Sequence, residues 1–348
     1  MSLPQHPLVT ADRGDAGRRI DVVLRRHLRG ADAVSRTRLQ RWIAEGRVTL
    51  NGATILRPSR RAAYGDRLEV ARPSRRPRLR VVAERAGCDL LRVLYEDEDL
   101  LVLDKPAGVV VHPTYRHPTG TLMNALLWYA RRWPTGCRPA LAGRLDKDTS
   151  GVLLVAKHRA ALAALQRLTS RGAAQKDYLA VAYGVTPVRG TIDAPLAPDP
   201  GDRRRTTPSA AGAPSLTTFE RLARTASGVG LSVLKCRLGS GRRHQIRAHL
   251  AARGWPIVGD RVYGDARWQA VTNPALAAAL REFPRQALHA WRMSFGHPAS
   301  GRLVEIAANV PADIVGLLAA VGLPSDIPAL LMQSRAPLIR QPAFSSRP

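Results

Sequence analysis

Three short segments bring together side chains able to do chemistry. Gly143-Arg144-Leu145-Asp146-Lys147-Asp148-Thr149-Ser150-Gly151 crowds two carboxylates, two cations and two hydroxyls into a turn that leads straight into the apolar run Val152–Ala156. Carboxylates set against a core invite ion pairing and control of their charge, although a structural turn has much the same composition. Gly239-Ser240-Gly241-Arg242-Arg243-His244-Gln245-Ile246-Arg247 is a glycine-rich turn that opens a helix. Its backbone N–H groups and arginines suit phosphate, although a plain helix start is the commoner meaning. Lys176-Asp177-Tyr178 stands at a strand edge, where the tyrosine ring can stack on a base or simply fill core. Other chemistries lack their residues: the sequence has no phosphate-binding G-x-x-x-x-G-K-[ST] loop, no G-x-S-x-G elbow and no H-E-x-x-H or Cys/His zinc set. His112, His117, His158 and His289 are scattered and read as surface or core residues, so no metal is expected.

The elements that must position these segments follow from hydrophobic pattern. LRVLYEDEDLLVLDKPAG holds two β-rich runs, and GVLLVAK is apolar on both faces, as a central strand should be. KDYLAVAYG and GLSVLKCRL read as further strands. TLMNALLWYARRW, RAALAALQRL and HQIRAHLAARG read as helices, the last stopped by Gly254. Strands dominate and several links are hairpin-like, which predicts an α+β domain around a mixed, mainly antiparallel sheet.

Composition narrows the partner. The 348 residues carry 54 Lys+Arg against 27 Asp+Glu, a net charge of +27. Only five of the cations are lysines, and guanidinium forks match phosphate. A GC-rich genome explains arginine over lysine but not basic over acidic, so nucleic acid is the favoured partner. No apolar run reaches the ~18 residues of a membrane helix, and the amino end has no signal-like apolar stretch. Cys88, Cys137 and Cys236 are odd in number and widely spaced, and read as small apolar side chains in a reducing cytoplasm. A soluble cytoplasmic protein with no membrane partner is expected.

Near the amino end, RRIDVVLRRHL and SRTRLQRWIAEG read as two short helices, the second capped by Ser35 and ended by Gly46. RVTLNG and RLEVA read as strands around an Asn51-Gly52 turn. This unit, residues 17–71, resembles the S4-like RNA-binding domain, carried by Arg19-Ile20-Asp21, Ser35-Arg36, Val48-Thr49-Leu50-Asn51-Gly52 and Gly65-Asp66. Arg36, Arg38 and Arg41 are its expected RNA contacts. Residues 1–16 read as a loose segment, 72–91 as a linker and 324–348 as an unstructured tail.

Residues 92–323 resemble the catalytic domain of the RluA-type pseudouridine synthases. GRLDKDTSGVLLVAK matches their H-R-L-D-x-x-T-S-G signature, and DEDLLVLDKPAGVVVHP, GRRHQIRAHLAARGWPIVGDRVYG and LHAWRMSFGHPASG agree in the family's order. The resemblance implies that Asp146 is the essential aspartate, Tyr178 the tyrosine packed against the target base and Arg247 the arginine pairing with the aspartate. Gly143 stands where the family usually has His, which bears on how the loop is held and which RNA is accepted.

The chemistry agrees with that reading. Isomerising uridine breaks N1–C1′, turns the uracil and joins C5 to C1′, with no redox change, metal or cofactor. The uridine must leave its stack, at a cost of a few kcal/mol. Asp146 can then attack or take a proton while ionised, and Arg247 nearby favours that charge. The hydroxyl of Tyr178 is an expected acceptor for the C5 proton, and Arg144 and Arg242 are expected phosphate contacts. Ribosomal RNA of the large subunit is the expected target, with transfer RNA open, and nothing requires more than a monomer. A catalytically inactive RNA-binding or ribosome-associated factor is the alternative, and an RNA N-glycosylase lacks a convincing second carboxylate, since Asp148 reads as a structural turn residue.

Overall fold

The computed structural model describes residues 7–28, 34–73, 81–115, 117–225, 230–324 and 326–333, and the chain divides into two compact units, 1–78 and 79–348. In the first unit β1 (Leu8–Thr10), β2 (Val48–Leu50), β3 (Ala53–Thr54) and β4 (Arg67–Val70) form an antiparallel sheet in the order β1-β4-β2-β3. Its helices are α1 (Ile20–His27) and α2 (Arg36–Ala44). Ile20 and Leu24 of α1, Leu39 and Ile43 of α2 and Leu68 of β4 are fully buried in one cluster, as the helical spacing requires. The Ser35 hydroxyl accepts from the Arg38 N–H at 3.4 Å and so caps α2. Asp21 is a buried carboxylate at the start of α1. Burial would raise its pKa, but hydrogen bonds from Arg19, Gln40 and Arg36 outweigh that and hold it at about 2.

Residues 7–16 correct the expectation of a loose amino segment. β1 pairs with β4, and Asp12 and Asp15 form a reciprocal cap on the turn Arg13–Asp15. Asp15 is buried and takes Arg26 at 2.8 Å and His27 at 2.6 Å. The polar residues that suggested looseness are the ones that fasten the segment.

The second unit is built on one ten-stranded sheet. In chain order its elements are β5 (Arg92–Glu96), β6 (Leu100–Lys105), α3 (Leu122–Tyr129), β7 (Ala140–Leu141), β8 (Ser150–Ala156), α4 (Arg159–Ser170) and β9 (Gln175–Tyr183). There follow β10 (Arg189–Asp193), β11 (Leu196–Pro198), β12 (Thr206–Pro208), β13 (Leu216–Arg224), β14 (Leu231–Leu238) and α5 (Gln245–Ala252). The chain continues through α6 (Pro274–Glu282), β15 (Leu288–Gly296), β16 (Leu303–Ala307), α7 (Ala312–Ala320) and α8 (Ile327–Gln333). The sheet order is β10-β13-β14-β9-β15-β8-β6-β5, with β16 beside β15, β7 beside β8, and β11-β12 forming a separate ribbon. Among the described residues only β15 and β8 run parallel, over His289↔Ser150 and Ala290↔Gly151, so the sheet is mixed and mainly antiparallel as expected.

All seven residues of β8 are buried. Leu153 and Val155 join the larger core with α3, α5 and α7, while Val152, Leu154 and Ala156 join a second core with α4. Period-two alternation thus serves two faces, and each buried Val or Leu contributes about 1.5–3 kcal/mol. Gly151 is required at the parallel junction: a Cβ there would stand 2.2 Å from the Ala290 carbonyl oxygen, and its φ is +110°.

Two further boundaries differ from the sequence reading. Residues 82–91, expected as linker, pack on this unit: the Asn124 amide donates to the Val82 carbonyl at 2.7 Å, and Leu91 is buried. Residues 327–333, expected as unstructured tail, form α8, whose Ile327 and Leu331 are buried in the main core. Of these three expectations, the stretches 1–6, 74–80, 325 and 334–348 lie outside the described residues. Cys236 is buried, whereas Cys88 and Cys137 are only half-buried.

Candidate active site

The loop 143–149 leads from β7 into β8 and is held from beneath by three groups. Lys105, fully buried at the end of β6, donates to the carbonyls of Pro106 at 2.7 Å, Val109 at 3.1 Å and Lys147 at 2.9 Å. Burial brings its pKa down to about 8, with Asp148 opposing the fall. Arg285 donates to the Asp148 carbonyl at 3.2 Å while its fork grips Asp313 of α7 at 2.6 and 2.9 Å. The Gln286 amide donates to the Thr149 hydroxyl at 3.2 Å. Behind the loop, Ser150 Oγ and His289 Nδ1 are 2.9 Å apart, and burial lowers the His289 pKa to about 4. This imidazole is neutral and part of the scaffold.

The second segment starts α5. Gln245 ties the turn together: its Oε1 accepts from the Ser240 hydroxyl at 2.8 Å and the Arg242 N–H at 3.0 Å. His244 enters the helix at a φ of 54°, and one side of α5 then presents Arg247. The Arg247 guanidinium donates through Nη1 to Asp146 Oδ2 at 2.8 Å, and through Nε and Nη2 to the two oxygens of Asp260 at 2.7 and 2.8 Å. Asp260 also accepts the Val262 and Tyr263 N–H groups at 2.9 and 3.1 Å. Burial penalises its charge, yet the Arg247 contacts prevail and hold it below the usual carboxylate range. One planar fork therefore links two carboxylates, which a lysine could not do. The Tyr263 ring lies 5.2 Å from the same guanidinium, and His244 Nε2 is 3.8 Å from Asp146. Burial takes His244 down to about 4, against the pull of Asp146.

A family model described as RNA pseudouridylate synthase matches residues 99–252. Ribosomal large subunit pseudouridine synthase D of Xylella fastidiosa is 41% identical over 313 residues, covering 90% of this chain and 91% of that protein. The protein of the same name from Pseudomonas aeruginosa is 38% identical over 286 residues, covering 82% of this chain and 87% of its own. The chain belongs to the RNA pseudouridine synthase family. It is thus an isomerase of RNA uridines. The solved human RNA Pseudouridylate Synthase Domain Containing 4 superposes with a TM-score of 0.55 at 23% identity, over 68% of this chain and 96% of its own. That likeness concerns the fold.

Within this synthase, Asp146 and Arg247, 101 positions apart, meet as expected. Tyr178 lies on β9 between β14 and β15, with its side chain almost fully buried. Burial, reinforced by the charge of Asp146, drives its hydroxyl above the ordinary tyrosine range. The phenol is therefore held neutral at pH 7. Arg144 is exposed and shares a cavity with Tyr178. Arg242 is exposed and donates to the Pro214 carbonyl at 3.3 Å.

The three arginines of the first unit expected to contact RNA already have partners within it. Arg36 donates to the buried Asp21 at 3.0 Å, Arg38 lies 5.1 Å over the Trp42 ring, and Arg41 is 3.8 Å from Glu45. Each remains exposed, but Arg36 is first a structural ligand of Asp21. Sequence reasoning missed Asp260, His244, Lys105 and Arg285. Asp260 and His244 lie in the quoted GRRHQIRAHLAARGWPIVGDRVYG, where a lone acid so close after Arg247 was the available signal. Among the described residues, two acid-histidine clusters have metal-like spacing, Asp12/Asp15/His27 and Asp97/Asp99/His297. In the second, His297 Nδ1 accepts from the Ala299 and Ser300 N–H groups, so Nε2 carries the proton toward Asp97 and offers no lone pair.

Proposed function

We propose that this synthase isomerises uridines in large-subunit ribosomal RNA, with Asp146, Tyr178 and Arg247 as its catalytic residues. The observation that carries the assignment is the Arg247 guanidinium held between Asp146 and the fully buried Asp260. A carboxylate fixed in this way is oriented before substrate arrives, and such preorganisation is what electrostatic catalysis requires. Once the uridine has left its stack, Asp146 faces the sugar and acts there as nucleophile or base. The Tyr178 ring supports the uracil face while the base turns. The ribosomal target draws its support from the printed names of the relatives, ribosomal large subunit pseudouridine synthase D.

Residues 17–71 act as an S4-like RNA-binding domain in this reading. Support comes from its own core, its exposed arginines and the excess of +27 charges. Each phosphate contact it makes adds to the salt dependence of binding. Arg144 and Arg242 serve as phosphate contacts on the catalytic unit. In this reading the enzyme works without metal or cofactor, because the isomerisation needs no donor.

The deciding experiment mixes the protein with ribosomal RNA tritiated at uridine C5. Release of tritium without abasic sites supports the synthase. Release of free uracil would indicate a glycosylase, and binding without release an inactive RNA-binding factor.

A further inference from the structure

We propose that Lys176, together with the space kept open at Gly143, forms a subsite for an RNA phosphate beside the target uridine; the inference rests on the synthase reading above. Lys176 precedes Tyr178 by two residues on β9, so both side chains leave the same face of the strand. With Gly143, Arg144, Leu145 and Tyr178 it lines a cavity of about 20 Å³. Among the described residues, its ammonium has no carboxylate within 4.0 Å and no hydrogen-bond acceptor. Lys176 is half-buried, and the three fully buried lysines are answered: Lys105 has its three carbonyls, Lys157 has Glu96 at 2.8 Å, and Lys235 is partnered as well. A partly desolvated cation with no counter-charge is costly until an anion completes it.

Three observations select the anion. The cavity of about 20 Å³ admits a group the size of one water or one oxygen atom. A non-bridging phosphate oxygen is of that size, and the ammonium in the wall favours an anion. Second, the cationic side chains within 4.0 Å of Asp146 among the described residues are Arg247 and His244, so Lys176 is not an ion-pair partner of the reacting carboxylate and belongs to binding. Third, a Cβ at Gly143 would stand 3.1 Å from the Lys176 ammonium nitrogen. The missing side chain therefore keeps the approach to this cation clear, and exposed Arg144 adds a second positive charge at the rim.

The test uses the full chain and a labelled RNA stem-loop with one uridine in its loop. Lys176→Met is expected to weaken binding about tenfold near 0.1 M salt, and to flatten the slope of log K against log salt by about 0.7–0.9. Its single-turnover rate at saturating RNA should fall by less than its affinity. Lys176→Arg should keep the slope, and Gly143→Ala should weaken binding with the charge intact. A methylphosphonate next to the uridine should reproduce the loss in the wild type and add nothing in Lys176→Met. Unaltered affinity and slope in Lys176→Met would overturn the proposal, as would a loss confined to the rate at saturating RNA. Wild type that binds with a steep slope yet makes no pseudouridine would refute the synthase reading and leave the subsite standing.

Discussion

Asp260→Asn is the sharpest probe of how the site is held. The carboxylate is fully buried and accepts four N–H groups, two from Arg247 and two from the backbone of Val262 and Tyr263. Asparagine keeps the shape, and its Oδ1 can still serve Arg247 Nη2 and both backbone donors. At the Oδ2 position, however, an NH₂ would confront Arg247 Nε–H, donor against donor. Removing one partner of a buried pair costs roughly 3–5 kcal/mol. Here Asp146 still supplies a counter-charge and three of the four hydrogen bonds survive, so the lower end, about 3 kcal/mol, applies. At about 2–4 °C per kcal/mol for a domain of this size, the melting temperature should drop by about 6–12 °C. The fork, released from its anchor, turns onto Asp146, and a misplacement of this kind costs about a hundredfold in turnover. Sign and window follow from the lowered pKa of Asp260. Its stabilisation is present above the unfolded value near 4 and is lost as pH falls through the folded value, so the mutant deficit should be constant at neutral pH and shrink below about pH 4. Melting curves from pH 7 to 3 and tritium release at pH 7 measure both effects. A mutant melting within 2 °C of wild type, or one with unchanged turnover, would refute the anchoring role.

Asp146→Asn should abolish isomerisation while leaving melting temperature and RNA affinity near wild type, and tritium release beside a filter-binding isotherm checks it. His244, held at about 4, takes up its proton in the unfolded chain first. Stability should therefore fall by up to about 3 kcal/mol as pH drops from 6.5 to 4, and urea titrations of His244→Gln should show a shallower fall. Deleting residues 1–78 should leave a folded catalytic unit, since the two units have separate cores. Its salt slope for long RNA should be flatter, and a full-length slope would reduce the first unit's arginines to solvation. Gly151→Ala should unfold or cripple the protein, because the added methyl meets the Ala290 carbonyl at 2.2 Å; circular dichroism of the purified mutant decides.

What the sequence made legible follows from periodicity and motif. The apolar run of β8 fills both faces of the sheet it was expected to centre, because seven buried residues cannot be read any other way. Asp146 and Arg247 were legible through motifs far apart in the chain. Asp260 was not, since nothing in local pattern says which acid crosses a loop to meet an arginine. The tail misled because prolines and short length mask a helix that needs only Ile327 and Leu331 to dock. The amino segment misled for the opposite reason: Asp12 and Asp15 are polar, and their polarity is the fastening. Lys105 gave no signal because its partners are carbonyl groups, which sequence does not distinguish.

The loop that carries Asp146 is held by residues made much later. Asp148 and Thr149 are gripped by Arg285 and Gln286, each 137 positions downstream. During synthesis the loop therefore emerges from the ribosome long before the groups that shape it. Closing so distant a contact is entropically slow, and it waits until β15 can dock beside β8. A nascent chain that ends before Arg285 therefore lacks both side chains that grip Asp148 and Thr149.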